Sequence, residues 1–191
     1  MPLPAKQERF TFADSLTWDE DERIEIINGE AFMMAAPSRI HQEICFEIGR
    51  QLGNYLEGKQ CRIYPAPFGV RLFEQDGDSP ENVDTVVEPD ISVVCDRSKL
   101  DQYGCKGAPD LIVEVLSPST QRHDQLVKLN LYQQAGVREY WIVDPENRTV
   151  RVMVQVGGGI LQVHEVYGRD DVAKVNVLDG CFIELSKVFS E

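Results

Sequence analysis

Long apolar runs are missing from this chain. The longest fall well short of the about 20 consecutive apolar residues that a membrane-spanning helix requires, so no transmembrane helix is expected. Residues 1–10 carry charges and no apolar signal region, which makes a cytoplasmic protein the expectation. No two cysteines form a C-x-x-C pair. Cys45, Cys61, Cys95, Cys105 and Cys181 are odd in number, so neither a disulfide framework nor a zinc knuckle is suggested, and reduced, mostly buried thiols are expected. Positive charge is also scarce: 19 Lys and Arg face 32 Asp and Glu, a net charge of −13. Such a balance opposes non-specific binding to nucleic acid, which needs local positive charge to meet phosphates. No basic strip is visible in the sequence, although a divalent cation would offset part of the negative charge locally. Internal repeats and low-complexity segments are absent too.

What is present is ordinary for a globular protein: 42% hydrophobic and 27% charged residues in a length of 191. These values favour one domain over residues 1–191 and exclude disorder as a default. A short helix is expected over residues 11–18, with Thr11 as its cap. Apolar runs flank Asn28-Gly29, which predicts a hairpin over residues 23–34, because both central turn residues need positive φ. Ile44, Cys45, Ile48, Leu52 and Leu56 recur at helical spacing and predict a helix over residues 40–56. Strands follow over residues 61–73, bent by Pro65 and Pro67, and over 85–95, with Pro89 inside. A connecting loop is expected over 96–109, then a very apolar strand over 111–116. A helix over 121–135 ends at Gly136. Strands at 139–143, 149–156, 160–166 and 172–178 come next, with a hairpin turn at Gly157-Gly158-Gly159. A short helix over 182–189 closes the chain.

This order predicts an α/β (α+β) fold, a mixed central sheet flanked by helices with hairpins at both ends. The N-terminal helix and hairpin take residues 10–36, the core 38–145 and the C-terminal strands 149–191.

Three polar residues interrupt apolar settings. Glu114 stands in the middle of Leu111-Ile112-Val113-Glu114-Val115-Leu116, a run that reads as a central buried strand. A buried carboxylate is expensive without a compensating cation or hydrogen bonds. Asp90 interrupts a second apolar strand, 24 positions earlier. A loop between the two strands can bring the acids together, and hard oxygen ligands of this kind suit Mg²⁺ or Mn²⁺. Lys128 falls within the apolar arc of its helix, beside Leu131, Tyr132 and Ala135. Asp124 shares that arc and is a candidate partner for Lys128. An ammonium above a metal site can hold an attacking water or stabilise charge at phosphorus.

Pro89-Asp90 followed by Glu114-Val115-Leu116 resembles the PD-(D/E)XK signature of restriction-type nucleases. The signature's lysine would stand at position 116, where this chain has Leu116; Lys128 fits the variant in which it has moved to the following helix. Residues 109–120, reading P-D-L-I-V-E-V-L-S-P-S-T, resemble the bacterial endonuclease family called Uma-two-like. The likeness continues through Asp124, Lys128, Leu129, Tyr132, Gly136, Val137, Glu139, Tyr140, Trp141 and Asp144-Pro145, and through Asn28-Gly29-Glu30 and His41. It covers about residues 10–190.

The resemblance implies a restriction-endonuclease-like core and a divalent metal, but no particular substrate. Together with the three polar residues it makes a Mg²⁺- or Mn²⁺-dependent endonuclease that hydrolyses phosphodiester bonds in DNA the leading expectation. Asp90 and Glu114 would ligate the metal, joined by the Val115 carbonyl and by Glu43. Lys128 would position the water, and Glu30, His41 and Asp124 would stand behind these groups. A homodimer is compatible, because double-strand cutting is commonly shared between two sites. The competing function is a catalytically silent nuclease-fold protein acting as a binding or regulatory module, which Leu116 and the net charge favour. Simpler roles stand beside each residue: backbone hydrogen bonding for Asp90, a structural ion pair for Glu114, a surface pair with Asp124 for Lys128, and solvation for Glu43.

Overall fold

The structure, a computed structural model, describes residues 9–19, 22–117 and 121–190, with the side chains of all these except 121–124. It is a mixed α+β fold. At the N-terminus, α1 (Phe12–Ser15) is preceded by Thr11, whose backbone N–H donates to the Asp14 carboxylate at 2.7 Å. The hairpin β1 (Ile24–Ile27) and β2 (Glu30–Met33) turns at Asn28 and Gly29, whose φ values of 51° and 84° are the positive pair that such a turn demands. Next, α2 (Arg39–Leu56) opens on Ser38, whose hydroxyl accepts the His41 N–H at 3.2 Å. Then come β3 (Arg62–Pro65), β4 (Val70–Arg71), β5 (Ile91–Val94), β6 (Leu100–Asp101), β7 (Gly104–Lys106) and β8 (Leu111–Val115). After α3 (Gln121–Ala135) follow β9 (Glu139–Asp144), β10 (Thr149–Val156), β11 (Ile160–Gly168), β12 (Val172–Val175), β13 (Cys181–Glu184) and α4 (Leu185–Val188).

Six strands build the central sheet in the order β11-β10-β9-β8-β5-β3. Only β8 and β9 run parallel, with α3 as their crossover; the other neighbours are antiparallel. Side chains alternate across β8. Leu111, Val113 and Val115 join Ile44, Ile48, Leu52 and Leu56 of α2 in one core. Ile112 belongs to the opposite core, with Leu131 and Tyr132 of α3. The period-2 rule therefore turns Glu114 toward α3. Burying two aliphatic layers against one sheet is what fixes this register, since a slip by one residue would exchange the faces.

Several sequence expectations need correction. The strand expected over 61–73 divides: Pro65 ends β3, and the chain resumes as β4, which pairs with β7 in a small separate sheet. Pro89 likewise splits the strand expected over 85–95. Only β5 joins the sheet, while Val86 and Val87 make isolated bridges to Ile26 and Val70. The expected loop over 96–109 contains β6 and β7. They meet at Gly104, where φ is 132° and a Cβ would lie 2.0 Å from the Gly69 carbonyl oxygen, so only glycine fits. The helix expected from Phe182 is strand first: Cys181 and Ile183 face inward and Phe182 outward before α4 begins.

The thiols also differ from expectation. Cys61 and Cys95 form a disulfide, and Cys45, Cys105 and Cys181 are free. Arg62 pairs with Val94 across β3 and β5, so Cys61 and Cys95 sit opposite each other one step further along. Strand register, which the 34-residue sequence separation hides, makes the partnership.

Candidate active site

At one end of the central sheet lies a cavity of about 880 Å³. Its charged floor comes from Arg23, Glu25, His41, Asp90, Glu114 and Lys128. Its apolar wall runs from the end of β2 through the connection to the start of α2, including Phe32, Met33, Met34, Pro37 and Ile40.

The floor is a continuous network. Lys128, 4% exposed, donates from Nζ to Oε1 of Glu114 and to Oε1 of Glu25, both at 3.0 Å. The Tyr132 hydroxyl donates to the same Glu114 oxygen at 2.6 Å. Asp90 immediately precedes β5. Its backbone carbonyl accepts from Ala66 N at 3.0 Å, and its Oδ2 accepts from the Val115 N–H at 2.8 Å. The same Oδ2 lies 3.1 Å from Nε2 of His41, whose Nδ1 is 3.6 Å from the Cys45 sulfur. Burial, with Asp90 and Glu114 nearby, pushes the Cys45 thiol far up, so it stays protonated. A neutral His41 that accepts the thiol proton at Nδ1 and donates from Nε2 satisfies both contacts. All these hydrogen bonds leave Oδ1 of Asp90 and Oε2 of Glu114 without one among the described residues.

Electrostatics set the protonation pattern. Burial disfavours a charged Lys128, but Glu114 and Glu25 outweigh it and hold the ammonium protonated well above the ordinary lysine range. Glu114 is raised to about 7 by its own burial, against the pull of Lys128 and with the repulsion of Asp90 and Glu25. The lysine is thus the firmly charged member of the pair, and the carboxyl titrates near neutrality. His41 loses basicity through burial, yet its bond to Asp90 carries it above its usual value. Tyr132 is pushed up by burial and by Glu114, and remains a neutral donor.

Of the residues expected from sequence, the structure brings Asp90, Glu114, Lys128, Val115 and His41 together at this cavity. It does not bring Glu43 there. Glu43 is exposed and paired with Arg39 at 2.6 Å. At 100° per residue it points about 140° away from the middle of the stripe of Ile44, Ile48 and Leu52, which His41 shares. Glu30 is exposed on β2 and does not line the cavity. The side chain of Asp124 lies outside the described residues. Lys128 is no surface residue, since its partners are the buried Glu25 and Glu114. Sequence reasoning missed Glu25, 5% exposed and flanked by Ile24, Ile26 and Ile27. The signal was there: it is the same acid-among-aliphatics pattern that singled out Glu114. Tyr132, Cys45 and Arg23 were missed as polar contributors because the first two read as helix core and the third as a strand edge.

Comparison with known proteins extends the picture. The family model of Uma2, described as "Putative restriction endonuclease", matches residues 12–186. The protein slr1290 of Synechocystis sp. (strain ATCC 27184 / PCC 6803 / Kazusa) is 30% identical over 119 residues, 61% of this chain and 58% of that protein. The match thus spans less than two thirds of slr1290. Its compatriot sll1609 is 27% identical over 149 residues, 75% of this chain and 80% of its own length. A crystal structure from Anabaena variabilis ATCC 29413, described as "a putative nuclease belonging to DUF820", superposes with a TM-score of 0.74 at 21% identity, covering 95% of this chain and 98% of that one. The likeness is one of fold. With the family match running from the first helix to the last, the chain belongs to the Uma2 family.

Proposed function

We propose that this chain is a metal-dependent endonuclease that hydrolyses phosphodiester bonds in DNA, with Asp90, Glu114 and Lys128 as its reacting centre. One observation carries the reading: the ammonium of Lys128 and the acids Glu114 and Asp90, from α3, β8 and the residue before β5, converge on one cavity, with Lys128 and Glu114 buried. The family's restriction-endonuclease description and the nuclease description of the Anabaena structure point the same way.

The residues fit a hard divalent cation. Four carboxyl groups (Glu25, Asp90, Glu114 and Glu146) line the cavity beside two cations, Arg23 and Lys128. Asp90 Oδ1 and Glu114 Oε2 are the oxygens left to hold Mg²⁺ or Mn²⁺, with the Val115 carbonyl as a further candidate. When bound, such an ion lowers the pKa of water and stabilises charge developing on the phosphate. Lys128 has three N–H donors and spends two on Glu25 and Glu114. The third is available to orient a water or to meet the phosphate oxygen as charge develops. His41 and the Val115 N–H both hold Asp90 by Oδ2, which leaves Oδ1 for the cation. Glu25 keeps Lys128 seated. On this reading the enzyme works in the cytoplasm, and two copies share a double-strand cut.

Leu116 lines the cavity at the position of the signature lysine, and this favours a second reading, a silent nuclease fold that binds without turnover. Incubation of plasmid and single-stranded DNA with Mg²⁺, Mn²⁺ or chelator separates the two. The endonuclease reading expects metal-dependent nicking that Glu114→Ala and Lys128→Ala abolish. Metal binding without cleavage over a broad substrate panel supports the silent fold instead.

A further inference from the structure

Arg23 and Lys128 are the only Lys or Arg among the described residues lining the cavity. They are placed very differently. Lys128 is enclosed by two carboxylates, so its charge is already overcompensated. Arg23 faces one carboxylate, and through one nitrogen: Nε donates to Oε2 of Glu88 at 3.1 Å. Its Nη2 is buried and has no hydrogen-bond partner. A buried guanidinium nitrogen without an acceptor is unfavourable, because burial strips its water and returns nothing. Nη2 itself has no accessible surface, but the side chain as a whole remains 29% exposed, so the cavity reaches the guanidinium beside it.

The backbone around Arg23 is fixed. Its carbonyl accepts the Met34 N–H at 2.9 Å, which ties the start of β1 to the end of β2 and to the apolar wall beyond. Behind it, the backbone N–H of Glu88 donates to Glu25 Oε1 at 2.9 Å, the oxygen that also binds Lys128. Arg23 is therefore locked through Glu88 to the same framework that holds the acidic centre. Its positive charge also acts on His41 and Cys45, opposing the pull of Asp90 on each.

We infer that Arg23 is the substrate-phosphate clamp of this site: the accessible edge of its guanidinium takes an oxygen of a phosphodiester entering the cavity, while Glu88 holds the guanidinium plane in position. The inference deepens the nuclease reading and rests on it for the substrate class. A planar fork suits phosphate better than a point charge does, and pairing through Nε leaves the fork half open. A polyanion reaching a chain of net charge −13 needs a local cation that is less enclosed by carboxylates than Lys128, and Arg23, paired with Glu88 alone, supplies it.

The test is equilibrium binding of a fluorescent single-stranded thymidine oligonucleotide by the full chain in Ca²⁺, followed by anisotropy at several salt concentrations. Arg23→Met is expected to weaken binding about tenfold and to lower the salt slope by about 0.7, the loss of one phosphate contact on a single strand. Arg23→Lys keeps the charge and is expected to retain the slope while losing part of the affinity. Glu88→Gln frees the guanidinium and is expected to weaken binding without changing the slope. A slope in Arg23→Met equal to that of the wild type overturns the inference, as does an unchanged affinity. Arg23→Lys guards against misfolding: a slope lowered as far as in Arg23→Met overturns it equally. An Arg23-dependent slope combined with no cleavage in Mg²⁺ or Mn²⁺ leaves the clamp standing and removes only the hydrolytic reading.

Discussion

The ammonium of Lys128 lies 3.0 Å from Oε1 of Glu114, a residue on the central strand of the sheet, in a place from which water is almost wholly excluded. Neither charge is tolerable there alone. Removing one partner of a buried pair leaves the other uncompensated, at a cost of about 3–5 kcal/mol. Lys128→Met is therefore expected to lose about that much stability in urea unfolding, because it strands both Glu114 and Glu25. Adding Glu25→Gln to Lys128→Met is expected to restore part of the loss. A double variant no more stable than the single would contradict a shared ion cluster.

The same pair gives the metal-free protein a pH signature. Glu114 titrates near 7 in the folded protein and near 4.3 in an unfolded chain. The folded state thus holds its proton more tightly, and stability from this group is full below about 4.3 and is lost as pH rises through about 7. His41, also raised, acts in the same direction at higher pH. In chelator, unfolding free energy measured between pH 4.5 and 7 is expected to fall more steeply for the wild type than for Glu114→Gln. Parallel slopes would show that Glu114 is not the titrating group.

Glu139 is the instructive contrast. It too is a buried acid in an apolar strand, yet its partners are all neutral donors: Trp141 Nε1 at 2.7 Å, Val177 N at 2.8 Å and Asn176 Nδ2 at 3.2 Å. It holds the β12 region to the sheet, has no ion-pair partner among the described residues and does not line the cavity that holds Glu114. Glu139→Ala is expected to cost about 3 kcal/mol of stability, since it strands buried N–H groups, while leaving Mn²⁺ affinity at the wild-type value. A weakened Mn²⁺ isotherm in a folded variant would refute the distinction.

The disulfide between Cys61 and Cys95 closes 34 positions of chain. Loop-closure entropy for that length gives a stabilisation of about 3–4 kcal/mol. Alkylation of the unfolded, unreduced protein is expected to label three cysteines, and reduction to lower the urea midpoint. Labelling of all five before reduction would exclude the bond.

Much of this fold and site could be read from residues alone, for identifiable reasons. The Asn28-Gly29 hairpin, the α2 stripe and the buried strand β8 follow from local rules that tertiary structure reinforces. Glu114, Asp90 and Lys128 stood out because each breaks an apolar pattern. Glu25 breaks one too, but it sits in a four-residue hairpin strand where polar residues are common, so its burial shows only once β1 is packed against Lys128. Glu43 was drawn in as the helix-borne acid that the family resemblance implies, although two residues beyond His41 a helix has turned the side chain to the other side. Cys61 and Cys95, and the seating of Arg23 on Glu88, depend on pairings across 34 and 65 positions, which no local pattern encodes.

Calorimetric titration of the full chain with Mn²⁺, wild type beside Asp90→Ala, tests the central claim most directly. Two carboxylates that share one hard cation predict a single-site isotherm in the wild type and a loss of affinity of at least tenfold in the variant, with Glu43→Ala unchanged. Equal affinity for wild type and Asp90→Ala would contradict it, whatever cleavage assays record.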